Sequence, residues 1–208
     1  MNVPDVPAAQ SGRVKVRRKA VFLDRDGVLV VDRGLVTRPE EFDIMKGVPE
    51  ALHVLKNAGY LLIVVTNQAV VARGLISERD LEELHRALQE MLSKRGAPPL
   101  DAVYSCPHHP SADLPGLRMV CECRKPRPGM LLKAAEEHSV ELNLSHMIGD
   151  RFTDILAGRR AGCRTTLLET GAHLAPPIES GEVLSGEIRP DYLEVDLLAA
   201  ARRITGYR

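Results

Sequence analysis

KAVFLDRDG, residues 19–27, sets an unbroken apolar run, Val21-Phe22-Leu23, against two carboxylates, Asp24 and Asp26, with one residue between them. Consecutive apolar residues without alternation predict a strand buried on both faces, the kind found in parallel sheets covered by helices on each side. Ligands of such sheets lie outside the carboxyl ends of the strands, so Asp24 stands where a crevice opens. Gly27 frees the backbone for a tight turn just beyond it. Taken alone, an Asp-x-Asp after a strand is more often a turn or a capping cluster than chemistry, and the rest of the chain has to decide.

Beyond this strand, strand-like and helix-like segments alternate, which predicts a doubly wound, mainly parallel α/β sheet. Pro49–Ala58 reads as a helix closed by Gly59, and Tyr60–Thr66 (YLLIVVT) as a second buried strand ending at Asn67. Ser77 is placed to cap a helix whose Leu81, Leu84, Leu88, Met91 and Leu92 form one apolar stripe before Gly96, Pro98 and Pro99 end it. Asp101–Cys106 reads as a third strand and 107–127 as a long loop dense in Cys, His, Pro and charge. Pro128 opens a helix through His138, Ser145–Asp150 forms a fourth strand end, Arg151–Ala161 a helix and Arg164–Leu168 a fifth strand. Gly171–Pro190 reads as a loose connection, and Tyr192–Ile204 as an edge strand with a closing helix. Residues 1–18 are expected to be a flexible tail and 19–208 a single domain. The short interval between Asp24 and Asn67 leaves no room for a large cap domain.

Four strand ends or loops thus carry polar groups: Asp24 with Asp26, Thr66 with Asn67, Lys125, and Asp150 with Asp154. A doubly wound sheet brings them to one edge. Each pair of carboxylates there, about 4 Å apart at an effective dielectric near 20, costs on the order of 4 kcal/mol, so the cluster calls for a cation. A hard divalent ion such as Mg²⁺, held by oxygens and sharing a phosphate ligand with Lys125, meets that need.

In order and spacing, DRDG (24–27), TNQ (66–68), RKP (124–126) and GDRFTD (149–154) resemble the motif set of the haloacid dehalogenase superfamily of aspartate-nucleophile phosphatases. The resemblance implies that Asp24 attacks phosphorus and that Asp26 protonates the leaving group and later activates water. It further implies that Thr66 and Lys125 hold the phosphoryl oxygens, and that Mg²⁺ is bound by Asp24, the main-chain carbonyl of Asp26 and Asp150. Asp154 is expected to orient Lys125 or the metal's waters, with an exposed residue in a helix's first turn as the competing reading. Asn67, Gln68, Arg73, Arg124 and Arg151 are candidates for gripping the rest of the substrate, since guanidinium groups suit a second phosphate or sugar hydroxyls. The implied substrate is a small phosphorylated metabolite, a heptose bisphosphate losing its 7-phosphate, with histidinol phosphate or another small sugar phosphate as the alternative. Ala69-Val70 and Val28–Val30 depart from the family pattern without touching the acids. A binding module that holds a phosphorylated ligand without turning it over is the competing class, disfavoured because both Asp24 and Asp26 are present.

Cys106, His108, Cys121 and Cys123 form a C-x-H…C-x-C set over the loop 106–125, a complete tetrahedral shell for structural Zn²⁺ with no position left for water. His109 is the competing imidazole; the resemblance favours His108. Cys163 reads as core. Among the 208 residues, 28 Lys and Arg balance 28 Asp and Glu, Trp is absent and aromatics make up 3%. Neither a field that attracts nucleic acid or anionic membrane nor a stacking platform for bases is available. With no apolar segment long enough to cross a bilayer and no signal-like start, the chain is expected to be a cytoplasmic monomer with reduced or metal-bound cysteines.

Overall fold

The computed structural model describes residues 17–171, 178–179, 182–183 and 189–207. In chain order its elements are β1 (Lys19–Leu23), α1 (Val48–Asn57), β2 (Tyr60–Asn67), α2 (Ala69–Ala72), α3 (Glu78–Lys94), β3 (Ala102–Cys106), α4 (Gly129–His138) and β4 (His146–Gly149). They continue with α5 (Phe152–Ala161), β5 (Arg164–Leu168), β6 (Ile178–Glu179), β7 (Glu182–Val183), β8 (Tyr192–Glu194) and α6 (Leu197–Thr205). Six strands form one sheet in the order β3-β2-β1-β4-β5-β8, and every pairing in it is parallel. The chain winds outward from β1 through β2 to β3, then returns to the other side of β1 for β4, β5 and β8. Its direction of winding reverses between β1 and β4, and the crevice of a doubly wound sheet opens at such a reversal.

The apolar runs sort by alternation. Val21 and Leu23 join Leu52 and Leu55 of α1, Leu88 and Leu92 of α3 and Leu197 of α6 on one face. Ala20 and Phe22 join Leu131 and Ala134 of α4 and Ala157 and Ala161 of α5 on the other. Both faces of β1 are therefore covered, which is why its sequence shows no polar alternation. β3, at the sheet's edge, is only partly buried.

Ser77 accepts the Asp80 amide at 3.1 Å and Asp80 returns a bond to the Ser77 N–H at 2.9 Å, a reciprocal cap that starts α3 at the expected residue. Pro128 is the cap before α4 rather than its first residue. Arg18, assigned to the tail on sequence, bonds through its backbone to Ser139 and Glu141; residues 1–16 of that tail lie outside the described residues. Within the expected loose connection, Ile178–Glu179 pairs antiparallel with Glu182–Val183, while 172–177, 180–181 and 184–188 lie outside the described residues. Between β1 and β2 the chain makes one short 3-10 turn, Pro39–Glu41, and α1, with no helical cap inserted. Val28–Val30 and Val70 are core residues, so the departures from the family pattern at these positions serve packing. No helix among the described residues is long and apolar enough to cross a membrane.

Candidate active site and metal centre

Asp24 leaves β1 with its N–H donating to the Ile148 carbonyl of β4 at 3.0 Å, which fixes it at the reversal between the two strands. Its Oδ1 accepts the Arg25 amide at 2.7 Å, and its Oδ2 lies 3.0 Å from Lys125 Nζ. Lys125 is almost wholly buried; its ammonium also donates to the Val65 carbonyl at 2.9 Å and sits 2.6 Å from Asp154 Oδ1. Burial pulls the lysine down, but Asp154 and Asp24 outweigh it and hold its pKa above the ordinary value. Asp154, fully buried, also accepts the Arg151 amide at 3.1 Å, so the reading of an exposed helix residue is overturned. Burial raises its carboxyl to about 6, against the opposing pull of Lys125.

Asp150 is the group in deficit. It is fully buried, neither carboxylate oxygen has a hydrogen-bond partner, and burial, then Asp154 and Asp24, push its pKa up to about 8. Oxygens of Asp24, Asp150 and Asp154 lie within 4.8 Å of one another. A buried carboxylate with no donor beside two others is stable when ionised only if a cation lies among them, so the residues present fit a hard divalent ion. The cradle is tight. A Cβ on Gly27, whose φ is +75°, would fall 2.1 Å from Asp150 Oδ2, and one on Gly149 would fall 2.2 Å from Asp154 Cβ.

Asp26 has different partners. The buried Arg25 grips it with both arms, Nε to Oδ1 at 3.1 Å and Nη2 to Oδ2 at 2.9 Å, and Gln68 Nε2 donates to the same Oδ2 at 2.9 Å. Gln68 also donates to Thr66 Oγ1 at 2.9 Å, which joins Asp26 to the threonine at the end of β2. Burial raises the Asp26 pKa, with Arg25 opposing.

The remaining sequence candidates divide. Asn67 uses both ends of its amide on the Lys125 backbone, donating to its carbonyl and accepting its N–H at 3.0 Å each. Arg73 donates to the Ser111 carbonyl at 3.1 Å and approaches Asp113 at 3.6 Å, bracing the long loop. Arg124 donates to the His108 carbonyl at 3.2 Å, and Arg151 pairs with Asp32 at 2.6 Å. Arg25 was not singled out on sequence; the signal was a cation between two acids, and only the fold shows that it is buried against one of them.

The Cys and His set also converges. Donor atoms of Cys106, His108, Cys121 and Cys123 lie within 4.8 Å of one another, with Cys123 Sγ 3.1 Å from both other sulfurs and 3.4 Å from His108 Nδ1. Three soft sulfurs and one imidazole at these spacings fit a tetrahedral metal with bonds of about 2.3 Å. Hydrogen bonds from Cys106, then Cys121 and His108, draw Cys123 down to about 5, a thiolate ready for a cation. His109 Nδ1 accepts the Ser111 N–H at 3.1 Å instead. The cluster is tied to the acids through the backbone: Gln68 N–H donates to the Cys106 carbonyl at 2.8 Å. Cys163 is core, its thiol raised to about 12 by burial.

Known proteins resemble this chain in sequence and fold. A family profile described as HAD-hydrolase-like matches residues 122–201. The chain is 43% identical over 159 residues to a D-glycero-beta-D-manno-heptose-1,7-bisphosphate 7-phosphatase of Helicobacter pylori, covering 76% of this chain and 87% of that one. It is 41% identical over 162 residues to the protein of the same name from Escherichia coli, covering 77% and 84%. Among solved structures, the D,D-heptose 1,7-bisphosphate phosphatase of B. bronchiseptica, crystallised with magnesium and phosphate, superposes with a TM-score of 0.73 at 30% identity over 91% of this chain and 99% of that one.

Proposed function

This chain belongs to the heptose-1,7-bisphosphate 7-phosphatase family of haloacid dehalogenase-like hydrolases, and from that membership we propose that it removes the 7-phosphate of D-glycero-β-D-manno-heptose 1,7-bisphosphate through an aspartyl-phosphate on Asp24. The observation that carries the reading is the pairing of an anchored carboxylate, Asp24 on Lys125, with a second carboxylate two residues on that is held by separate partners. A nucleophile and an acid–base group are what a two-step phosphoryl transfer needs.

Asp24, Asp150 and the Asp26 main-chain carbonyl would hold Mg²⁺, with Asp154 and Lys125 completing the charge balance. The ion supplies Lewis-acid neutralisation of phosphoryl charge. Asp24 Oδ attacks phosphorus as the P–O bond to the sugar breaks, and Asp26 delivers its proton to the leaving oxygen. Asp26, now ionised, takes a proton from water as that water attacks the aspartyl-phosphate, which restores Asp24 and frees phosphate. Thr66 and Lys125 hold the phosphoryl oxygens during both steps, so developing charge meets fixed donors. Cys106, His108, Cys121 and Cys123 would hold a structural Zn²⁺ that orders the loop leading into Arg124 and Lys125. Gln68, Arg73, Arg124 and Arg151 line the approach for the rest of the substrate. We take residues 19–208 as one catalytic domain acting as a cytoplasmic monomer on a diffusible metabolite. Zero net charge supports such a small-molecule role over a nucleic-acid partner.

The test is kcat/KM with Mg²⁺ over both heptose bisphosphate anomers, histidinol phosphate and simple sugar phosphates. A preference for the β-anomer above roughly a hundredfold, about 2.7 kcal/mol of transition-state discrimination, supports the reading. A flat profile or a preference for histidinol phosphate refutes the substrate, and full turnover by Asp24→Asn refutes the nucleophile.

A further inference from the structure

Arg25 is one of the largest wholly buried side chains in the molecule, and it lies between the two acids of the site in sequence. A buried guanidinium needs a reason, because desolvating it is costly unless its donors are matched. Its matched partner is Asp26, through the parallel two-bond geometry that fixes direction as well as distance. The other contacts form a mount. The guanidinium carbon lies 5.2 Å over the ring of Phe42, a core residue on the connection between β1 and α1, and Nη1 lies 3.5 Å from His85 Nε2 on α3. Lys125, by contrast, is the ammonium beside Asp24 and Asp154. Each of the two neighbouring acids therefore has its own buried cation.

We infer that Arg25 is a positioning residue of the reaction: braced by Phe42 and His85, it aims the Asp26 carboxyl at the leaving oxygen. Resting on the function proposed above, the inference adds a part whose effect runs through the proton transfers of Asp26, of which kcat/KM reads the first, delivery to the leaving oxygen. With Arg25 on one edge of the carboxyl and Gln68 on Oδ2, rotation about the Asp26 side chain is blocked by three hydrogen bonds. Asp24 has none of its side-chain contacts with the guanidinium; it receives only the Arg25 backbone amide, which a substitution at that position retains.

The test exploits the leaving group. An alkoxide must be protonated as it departs, whereas p-nitrophenolate leaves without help. In Arg25→Met, kcat/KM should fall about a hundredfold for the alkyl phosphomonoester that the wild-type enzyme hydrolyses fastest, and by less than about threefold for p-nitrophenyl phosphate. In an Asp26→Asn background, Arg25→Met should cost less than about threefold on either ester, because the residue it acts through is gone. Equal losses on the two esters, or the same loss with and without the Asp26 carboxylate, would overturn the inference. Should Arg25→Met fail to accumulate as folded protein, Arg25→Lys decides: one point contact in place of a fork should lower the alkyl-to-aryl ratio about tenfold, and an unchanged ratio overturns the inference. A wild-type protein inactive on every ester would instead refute the proposed function itself.

Discussion

Titrating Mg²⁺ into the metal-free protein at a series of pH values probes the buried carboxylate without partners. Asp150 has a pKa of about 8 in the metal-free fold against 3.8 for an ordinary aspartate. Its raised value means that the folded protein holds a proton that the unfolded chain has lost, so this contribution to stability is complete below pH 3.8 and disappears as pH rises through 8. A cation must displace that proton. At pH 7 about nine-tenths of the molecules are protonated there, so each Mg²⁺ bound should release about 0.9 proton, and its affinity should fall about tenfold for each unit below pH 8. Calorimetry in buffers of different ionisation enthalpy measures the release, and dissociation constants at pH 6, 7, 8 and 9 measure the slope. Above pH 9 the slope should vanish. Release below about 0.3 proton at pH 7, or an affinity constant across this range, would refute the assignment of Asp150 as the neutral partner awaiting a metal.

Gly27→Ala places a methyl 2.1 Å from Asp150 Oδ2 and must push that carboxylate aside; steady-state kinetics should show about a hundredfold loss in kcat/KM, and thermal unfolding a stability loss of more than about 1 kcal/mol, because alanine is strained at a φ of +75° and the strain outweighs the chain entropy removed from the unfolded state. Lys125→Met leaves Asp24 and Asp154 without their buried cation; chemical denaturation without Mg²⁺ should show a loss of about 3–5 kcal/mol, and the deficit should shrink when Mg²⁺ is added. Cys123→Ser should reduce bound zinc from one equivalent to well below half by colorimetric assay after denaturation, and should lower both the melting temperature and kcat.

The fold was legible because the decisive strands are unambiguous. The run at 20–23 and YLLIVVT are too apolar for a half-exposed sheet, and their alternation between two helical layers follows directly. The acids were legible as a constellation for the same reason: strand ends converge. What the chain concealed were long-range partners. Arg25 reads as an ordinary charge until Phe42 and His85 are seen behind it, since burial of a cation depends on groups 17 and 60 positions away. Asn67 and Arg73 likewise carry bonds that residue type does not reveal. In the fold they satisfy backbone groups of Lys125 and Ser111, because a long loop with few apolar side chains must be held by hydrogen bonds.

Asp24 and Asp26 share a short stretch of chain but face different demands, and the fold answers each with a separate cation. In the proposed roles a nucleophile must stay fixed, and Asp24 is held by an ammonium that is itself pinned by Val65 and Asp154. An acid–base group must change its proton twice per turnover while keeping its aim, so it needs directional bonds and access to a proton. Asp26 has the bonds from Arg25 and Gln68, and its side chain retains 17% exposure. A lysine in place of Arg25 would supply charge without direction, and an arginine in place of Lys125 would be too large for a slot that is 1% exposed and bounded by three oxygens. The two cations are thus not interchangeable, and exchanging them, Arg25→Lys with Lys125→Arg, should abolish turnover although the net charge of the site is unchanged.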